Sequence, residues 1–272
     1  MPAVGVEPHV HPTHDQEVAR LALQHQVWRP RALDAWRRAD FGEGQTILDV
    51  GCGPGYAALD LSEIVGPMGC VVAIDACQHF LDMLEEQCFQ RGIQNIAPLR
   101  LDLDNACLPV QADGAWCRWV FGFLQRPRQL LEQISDVLKP GAVLVLHEYF
   151  DYSTWRVAPR STQLEEFGRL VVEDWRATGG DPDIGLQLAE WLPDLEFSIA
   201  SVHPVIEVVP RTSYLWEWQH SFLHAGLHRL GEAGVVTREQ STCVLRALAA
   251  AEAAPNALMV TPAVLEVIAV RR

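Results

Sequence analysis

Two rhythms of apolar and polar residues alternate along this chain. Short apolar runs at Thr46–Val50, 70–75, about 96–101, Ala115–Phe121, Ala142–Glu148 and Val264–Val270 read as buried strands. Between them, apolar residues recur at three- and four-residue spacing. Phe80, Leu81, Leu84 and Cys88 share one such stripe, and Leu130, Leu131, Ile134, Val137 and Leu138 share another. Strands alternating with helices predict a parallel sheet joined by right-handed crossovers.

Local signals punctuate the pattern. Thr13-x-x-Gln16 fits a capping box opening a helix to about Ala39, with a break expected at Pro30. Pro140 and Gly141 are expected to stop the helix that follows Pro127. Thr162-x-x-Glu165 and Thr237-x-x-Gln240 mark further helix starts, with turns at 179–185, a strand-like stretch at Phe197–Val209 and another helix at 212–230. Residues 1 to about 12 read as a disordered tail. No internal repeat or low-complexity linker divides the chain. The expectation is one domain over 1–272, with 1–40, 151–194 and 211–253 forming a helical cap over the carboxyl ends of the strands, where ligands of open parallel sheets bind.

The first strand runs into ILDVGCGPGY, and the second ends at Asp75. Glycines at 51, 53 and 55 permit a tight turn and close approach to a ligand. An acid at the end of the second strand suits a ribose diol. The dinucleotide fingerprint is G-x-G-x-x-G, with its third glycine packing helix on strand. Here the spacing is G-x-G-x-G, and Asp49 precedes it, an awkward neighbour for a pyrophosphate but a good one for a cationic ligand. A nicotinamide-dependent oxidoreductase is therefore the weaker alternative.

This segment resembles the first motif of the class I S-adenosylmethionine-dependent methyltransferases, strongly from about 44 to 150. The resemblance implies a seven-stranded, mostly parallel, doubly wound Rossmann-like sheet with helical cap insertions, its last two strands forming an antiparallel edge. It implies S-adenosyl-L-methionine as cofactor. Asp49, Gly51 and Gly53 would cradle the methionine end, Asp75 the ribose, and Ala76 and Phe80 the adenine, with Cys77 where the family often has serine. Asp104, with Asn105 beside it and Asp102 as competitor, would meet the adenine amino group. Arg118, Val120 and their neighbours to Phe121 would line the methionine arm. LKPGA at 138–142 departs by one residue from the family's LKPGG.

The expected reaction is methyl transfer to oxygen, nitrogen or carbon of a small, partly apolar metabolite. A non-catalytic cofactor-binding protein is the other alternative. Such transfer needs a base only when the nucleophile must lose a proton. Glu148, His220 and His224 are the acid/base candidates, and Arg20 and Gln24 could close on the cofactor carboxylate. Trp155, Trp175, Trp191, Trp216, Trp218 and Phe222 could line an apolar acceptor cavity.

Composition narrows the partners. A formal net charge of -14 disfavours nucleic acid. Seven cysteines without a C-x-x-C or zinc-like spacing fit a reducing cytoplasm, and no metal site is expected, the histidines at 220, 224 and 228 included. His9, His11 and His14 belong to the expected tail. No signal sequence and no long apolar window occur, so neither export nor a membrane span is expected. Nothing in the sequence fixes the oligomeric state, a homodimer included.

Overall fold

The structure is a computed structural model that describes residues 14–105 and 107–272. The expected tail, the histidines at 9 and 11 and Thr13 lie outside the described residues. In chain order the strands are β1 (Thr46–Val50), β2 (Cys70–Asp75), β3 (Ile96–Arg100), β4 (Ala112–Arg118), β5 (Leu138–Asp151), β6 (Arg156–Ala158), β7 (Phe197–Val205), β8 (Val208–Pro210), β9 (Leu258–Val260) and β10 (Ala263–Arg271). The helices are α1 (His14–Arg38), α2 (Tyr56–Val65), α3 (Gln78–Arg91), α4 (Pro127–Val137), α5 (Thr162–Ala177), α6 (Gly185–Trp191), α7 (Tyr214–Glu232) and α8 (Arg238–Glu252).

Seven strands form one sheet in the order β3-β2-β1-β4-β5-β10-β7. The first five pair in parallel, while β10 runs antiparallel to both β5 and β7. This is the Rossmann-like methyltransferase sheet with its antiparallel edge. The order reverses beside β1, so a crevice opens at the carboxyl ends of β1 and β4. Side chains alternate across the sheet. Leu48 and Val50 join Cys117, Leu144 and Leu146 under α4 and α6, whereas Ile47 joins Trp116 and Val145 under α1, α2 and α3. Burying each such aliphatic side chain contributes about 1.5–3 kcal/mol.

Several boundaries differ from expectation. α1 continues through Pro30. Burial of Trp28, Ala32, Ala35 and Trp36 outweighs the one hydrogen bond that proline removes. β5 begins at Leu138 rather than Ala142, because Pro140 and Gly141 stop the helix while the chain is already extended along β4. β4 spans Ala112–Arg118, three residues earlier than expected. Ser161, not Thr162, caps α5, while the capping box of Thr237 and Gln240 forms as expected. A small sheet of β6, β9 and β8 has no sequence precursor beyond three-residue runs.

A second apolar cluster joins the N-terminal half of α1 to α5, α7, α8 and the ends of β4 and β5. α6 behaves differently from the rest of 151–194. Ile184, Leu188 and Leu192 pack into the sheet core, so α6 is a flanking helix of the sheet.

Candidate functional site

The loop after β1 is shaped by backbone that only glycine adopts freely. Gly51, Gly53 and Gly55 have φ of 72°, 54° and 82°. A Cβ on Gly51 would stand 2.2 Å from Val120 Cγ2, so the loop and the exit of β4 touch at a residue with no side chain. The loop is lashed to β2. The Gly51 and Cys52 amides donate to the Ile74 carbonyl at 2.8 and 2.9 Å. Gly53 N donates to Asp75 Oδ2 at 2.8 Å, and Cys77 N to Asp75 Oδ1 at 2.9 Å. Asp75 therefore organises the loop while each oxygen keeps lone-pair capacity for a further donor. Burial raises its pKa, and these backbone bonds oppose the rise.

Asp49 and Arg118 face the same crevice from neighbouring strands. Asp49 is 2% exposed, and its Oδ2 has no hydrogen-bond partner. Burial pushes its carboxyl up to about 7, with the Arg118 guanidinium opposing. Arg118 is pushed down to about 10 by the same burial, with Asp49 the strongest counterweight. Its Nη1 is buried without a partner, and Nη2 lies 3.4 Å from His25 Nδ1. His25 in turn holds Asp60 of α2 at 3.0 Å. The Trp116 and Trp119 rings flank the guanidinium at 5.6 and 5.3 Å. Asp49 and Arg118 offset one another's charge, yet Asp49 Oδ2 and Arg118 Nη1 each lack a hydrogen-bond partner, and two such atoms on rigid strands suit the ammonium and carboxylate of an amino-acid moiety.

The remaining expected cofactor residues divide. Val120 lies against the glycine loop, and Phe80 is buried in the first turn of α3 just beyond Asp75. Ala76 is exposed at the end of β2. Asp104 Oδ1 accepts from the amides of Gln125 and Arg126 at 2.9 and 2.8 Å, which pins the approach to α4. Asn105 Oδ1 bonds Arg126. Asp102 is committed to its own turn, accepting from Asp104 N and Asn105 Nδ2.

The acid/base expectations for Glu148, His220 and His224 find no geometric support. Glu148 is buried, and its Oε1 accepts from Val120 N at 2.7 Å and Phe121 N at 2.9 Å. Burial raises its carboxyl to about 7, but the group is a brace for the β4 exit. His220 and His224 stand 4.6 Å apart on the α7 face turned toward Glu252 of α8 and solvent, while Trp218 and Leu223 face inward. A helix cannot present both faces to one site. Among the described residues no His/Cys/Asp/Glu grouping suits a metal ion.

Aromatic side chains of α1, α7, β5 and the β4 exit pack against one another. Trp119 stacks on Tyr149 at 5.4 Å and on Trp218 at 5.3 Å, with Trp28 edge-on at 5.0 Å. Trp218 Nε1 donates to Gln24 Oε1 at 3.1 Å, tying α7 to α1. Gln24 also accepts from Arg20 Nη1 at 3.1 Å, while Arg20 Nε and Nη2 bond the buried Glu17 carboxylate and its charge reaches the Tyr149 hydroxyl. Trp216 bonds Glu252 and Trp191 sits beside Arg128, both away from the stack. Two surface depressions, about 510 Å³ beside Arg31, Arg38 and His203 and about 250 Å³ beside Arg211 and Glu252, lie outside this region. Sequence reading missed Trp28, His25, Tyr149 as part of a stack, and the buried chain Arg38–Glu266–His147 behind it. Only the last had a signal, an acid and a histidine on two apolar strands.

Comparison with known proteins places part of this chain beside methyltransferases. A methyltransferase domain family matches residues 47–141. The demethylmenaquinone methyltransferase of Lactococcus lactis is 32% identical over 46% of this chain and 49% of its own length. The 2-phytyl-1,4-naphtoquinone methyltransferase of Nostoc punctiforme is 29% identical over 60% of this chain and 68% of its own. The chain spans about half the length of the first curated relatives it matches. A solved [4+2]-cyclase, SpnF, superposes with a TM-score of 0.57 at 20% identity, covering 89% of this chain and 80% of its own, a likeness of fold alone.

Proposed function

We propose that this chain is a class I S-adenosylmethionine-dependent methyltransferase that transfers a methyl group from S-adenosyl-L-methionine to a small, partly apolar acceptor. The observation that carries this reading is a pair of buried atoms without hydrogen-bond partners, Asp49 Oδ2 and Arg118 Nη1, beside a glycine loop tied to Asp75. On it, Asp49 takes the ammonium, Arg118 the carboxylate and Asp75 the ribose hydroxyls, with Phe80 beside the adenine. When bound, the cofactor supplies an electrophilic methyl on a sulfonium.

The chain's own contribution is orientation and dryness. β1 and β4 fix the charged pair, and Glu148 holds the Val120 and Phe121 amides so that the β4 exit keeps its shape. The aromatic cap excludes water from the acceptor side, which strengthens every charge interaction within. With Glu148 used as a brace and the α7 histidines turned outward, the reading uses no dedicated base. An acidic acceptor that has given its proton to solvent before it enters supplies the nucleophile, and the Arg118 guanidinium favours that ionised form. The quinone-related names of the relatives support a ring-bearing acceptor.

The test is transfer of label from methyl-labelled S-adenosylmethionine into a panel of phenols, naphthols and 1,3-diketones. Label in at least one organic product, lost in the Asp49→Ala variant, supports the reading. Tight cofactor binding with no transfer across the panel would favour a non-methylating use of the fold.

A further inference from the structure

Among the described residues, Trp119 is the one bulky side chain at the site held in left-handed backbone, at φ 53°. That region disfavours large side chains, and such residues persist only where their surroundings hold them. The surroundings here do. Trp119 N donates to the His147 carbonyl at 3.0 Å, and the next two amides are fixed by Glu148. The reversed φ takes the ring out of the strand's alternation and lays it across the carboxyl end of the sheet. There it lies nearly parallel to Tyr149, at 21°, and to Trp218, at 23°. Trp28 closes one side edge-on to both Trp119 and Trp218. The indole N–H groups of Trp119 and Trp28 are both buried without a hydrogen-bond partner.

We propose that Trp119 is a stacking gate, and that the acceptor is a flat, fused-ring, oxygen-bearing aromatic or quinonoid molecule that takes its place between Tyr149 and Trp218. This deepens the methyl-transfer reading and rests on it only for the chemistry after binding.

The argument is one of matched costs. Two ring stacks hold Trp119 in place, and strained backbone together with a desolvated, unsatisfied N–H works against it; these effects are of similar size. The closed arrangement is therefore replaceable by a ligand that restores both stacks and offers an oxygen to an indole N–H. Tyr149 and Trp218 are each fixed from behind, Tyr149 by its strand and Trp218 by Gln24, so two ring faces, each within 23° of the Trp119 plane, stay in place when the Trp119 ring swings. Such faces select by planarity: a saturated bicycle is too thick and offers no π face. The positive guanidinium of Arg118 lies over the Trp119 ring and would meet an acidic hydroxyl of the guest.

The experiment uses the full chain, 2-hydroxy-1,4-naphthoquinone as the planar probe and 2-decalone as its saturated counterpart. Binding is read from quenching of tryptophan fluorescence and by calorimetry. The proposal expects the planar probe to bind and 2-decalone not to compete. It expects Trp119→Gly, which removes the competing ring and suits the backbone, to tighten the planar probe about tenfold. Trp119→Asn, which also tolerates left-handed backbone, serves if the glycine variant fails to fold. Trp218→Leu should weaken the probe at least about tenfold. Equal binding of both probes, or no tightening in a folded Trp119 variant, overturns the proposal. S-adenosylhomocysteine binding is measured in parallel. No such binding by the unmodified protein would sink the methyl-transfer reading, whereas failure of the planar probe with that binding intact would sink the gate alone.

Discussion

Asp49→Asn should make the cofactor-free protein more stable and its cofactor binding weaker. The substitution keeps the shape and an oxygen to accept from the Ala58 amide, and removes only the charge. Asp49 ionises at 3.8 ordinarily and at about 7 in the fold. Between those values the unfolded chain holds its carboxylate ionised while the folded one keeps the proton. Stability contributed by this group is thus lost as pH rises from about 4 to about 7, and the whole penalty is present above 7. A rise of about three pH units corresponds to about 4 kcal/mol, and relaxation around the site brings the expected gain for asparagine to about 2–4 kcal/mol at pH 8. At pH 4 the gain should vanish. Denaturant unfolding of both proteins at pH 4, 6 and 8 measures it. Calorimetry with S-adenosylhomocysteine at pH 8 should show affinity weaker by about 2 kcal/mol or more, since the ammonium loses its charged partner. A gain independent of pH, or a loss of stability at pH 8, would refute the reasoning.

The same geometry makes further demands. Asp75→Ala should weaken S-adenosylhomocysteine binding by about 2–3 kcal/mol, through the ribose and through release of Gly53 N, as read by calorimetry. In unmodified protein, that affinity should be flat above about pH 7 and fall below it as Asp49 takes up its proton, a dependence absent from Asp49→Asn. Glu148→Ala should cost about 2–4 kcal/mol in unfolding free energy by stranding two amides, while Glu148→Gln, which can still accept, should recover most of it. His220→Ala and His224→Ala should leave the rate of methyl transfer within about twofold of the unmodified protein, given surface positions that shift stability by about 0.5 kcal/mol or less.

The sheet and the glycine loop with Asp75 were readable because they are written locally. The run from Ile47 to Tyr56 and the acid at Asp75 each specify a backbone shape and a charge within a few residues, and the strands that position them are short apolar runs. α4 and α8 were readable for the same reason, through Pro127 and the Thr237–Gln240 box. The aromatic cluster is assembled from distant pieces. Trp28, Trp119, Tyr149 and Trp218 come from four elements, and no spacing in the sequence announces that their rings meet. The left-handed turn at Trp119 breaks the strand's alternation, so its direction could not be taken from neighbours. The histidine stripe on α7 defines a face by helical spacing without saying which way it turns; the burial of Trp218 and Leu223 gives the direction. Glu148 likewise stands at the lip of a strand, and no spacing announces that the amides of Val120 and Phe121 occupy its Oε1.

The central claim is that the crevice formed by Asp49, Asp75 and Arg118 binds a sulfonium or thioether nucleoside through its amino-acid and ribose ends. Calorimetric titration of the unmodified chain with S-adenosylmethionine, S-adenosylhomocysteine and NAD tests it most directly, with Arg118→Ala alongside. The account predicts saturable binding of both sulfur nucleosides, none of NAD, and at least about tenfold weaker binding in Arg118→Ala from loss of the carboxylate's partner. Saturable binding of NAD with no heat from either sulfur nucleoside would contradict it.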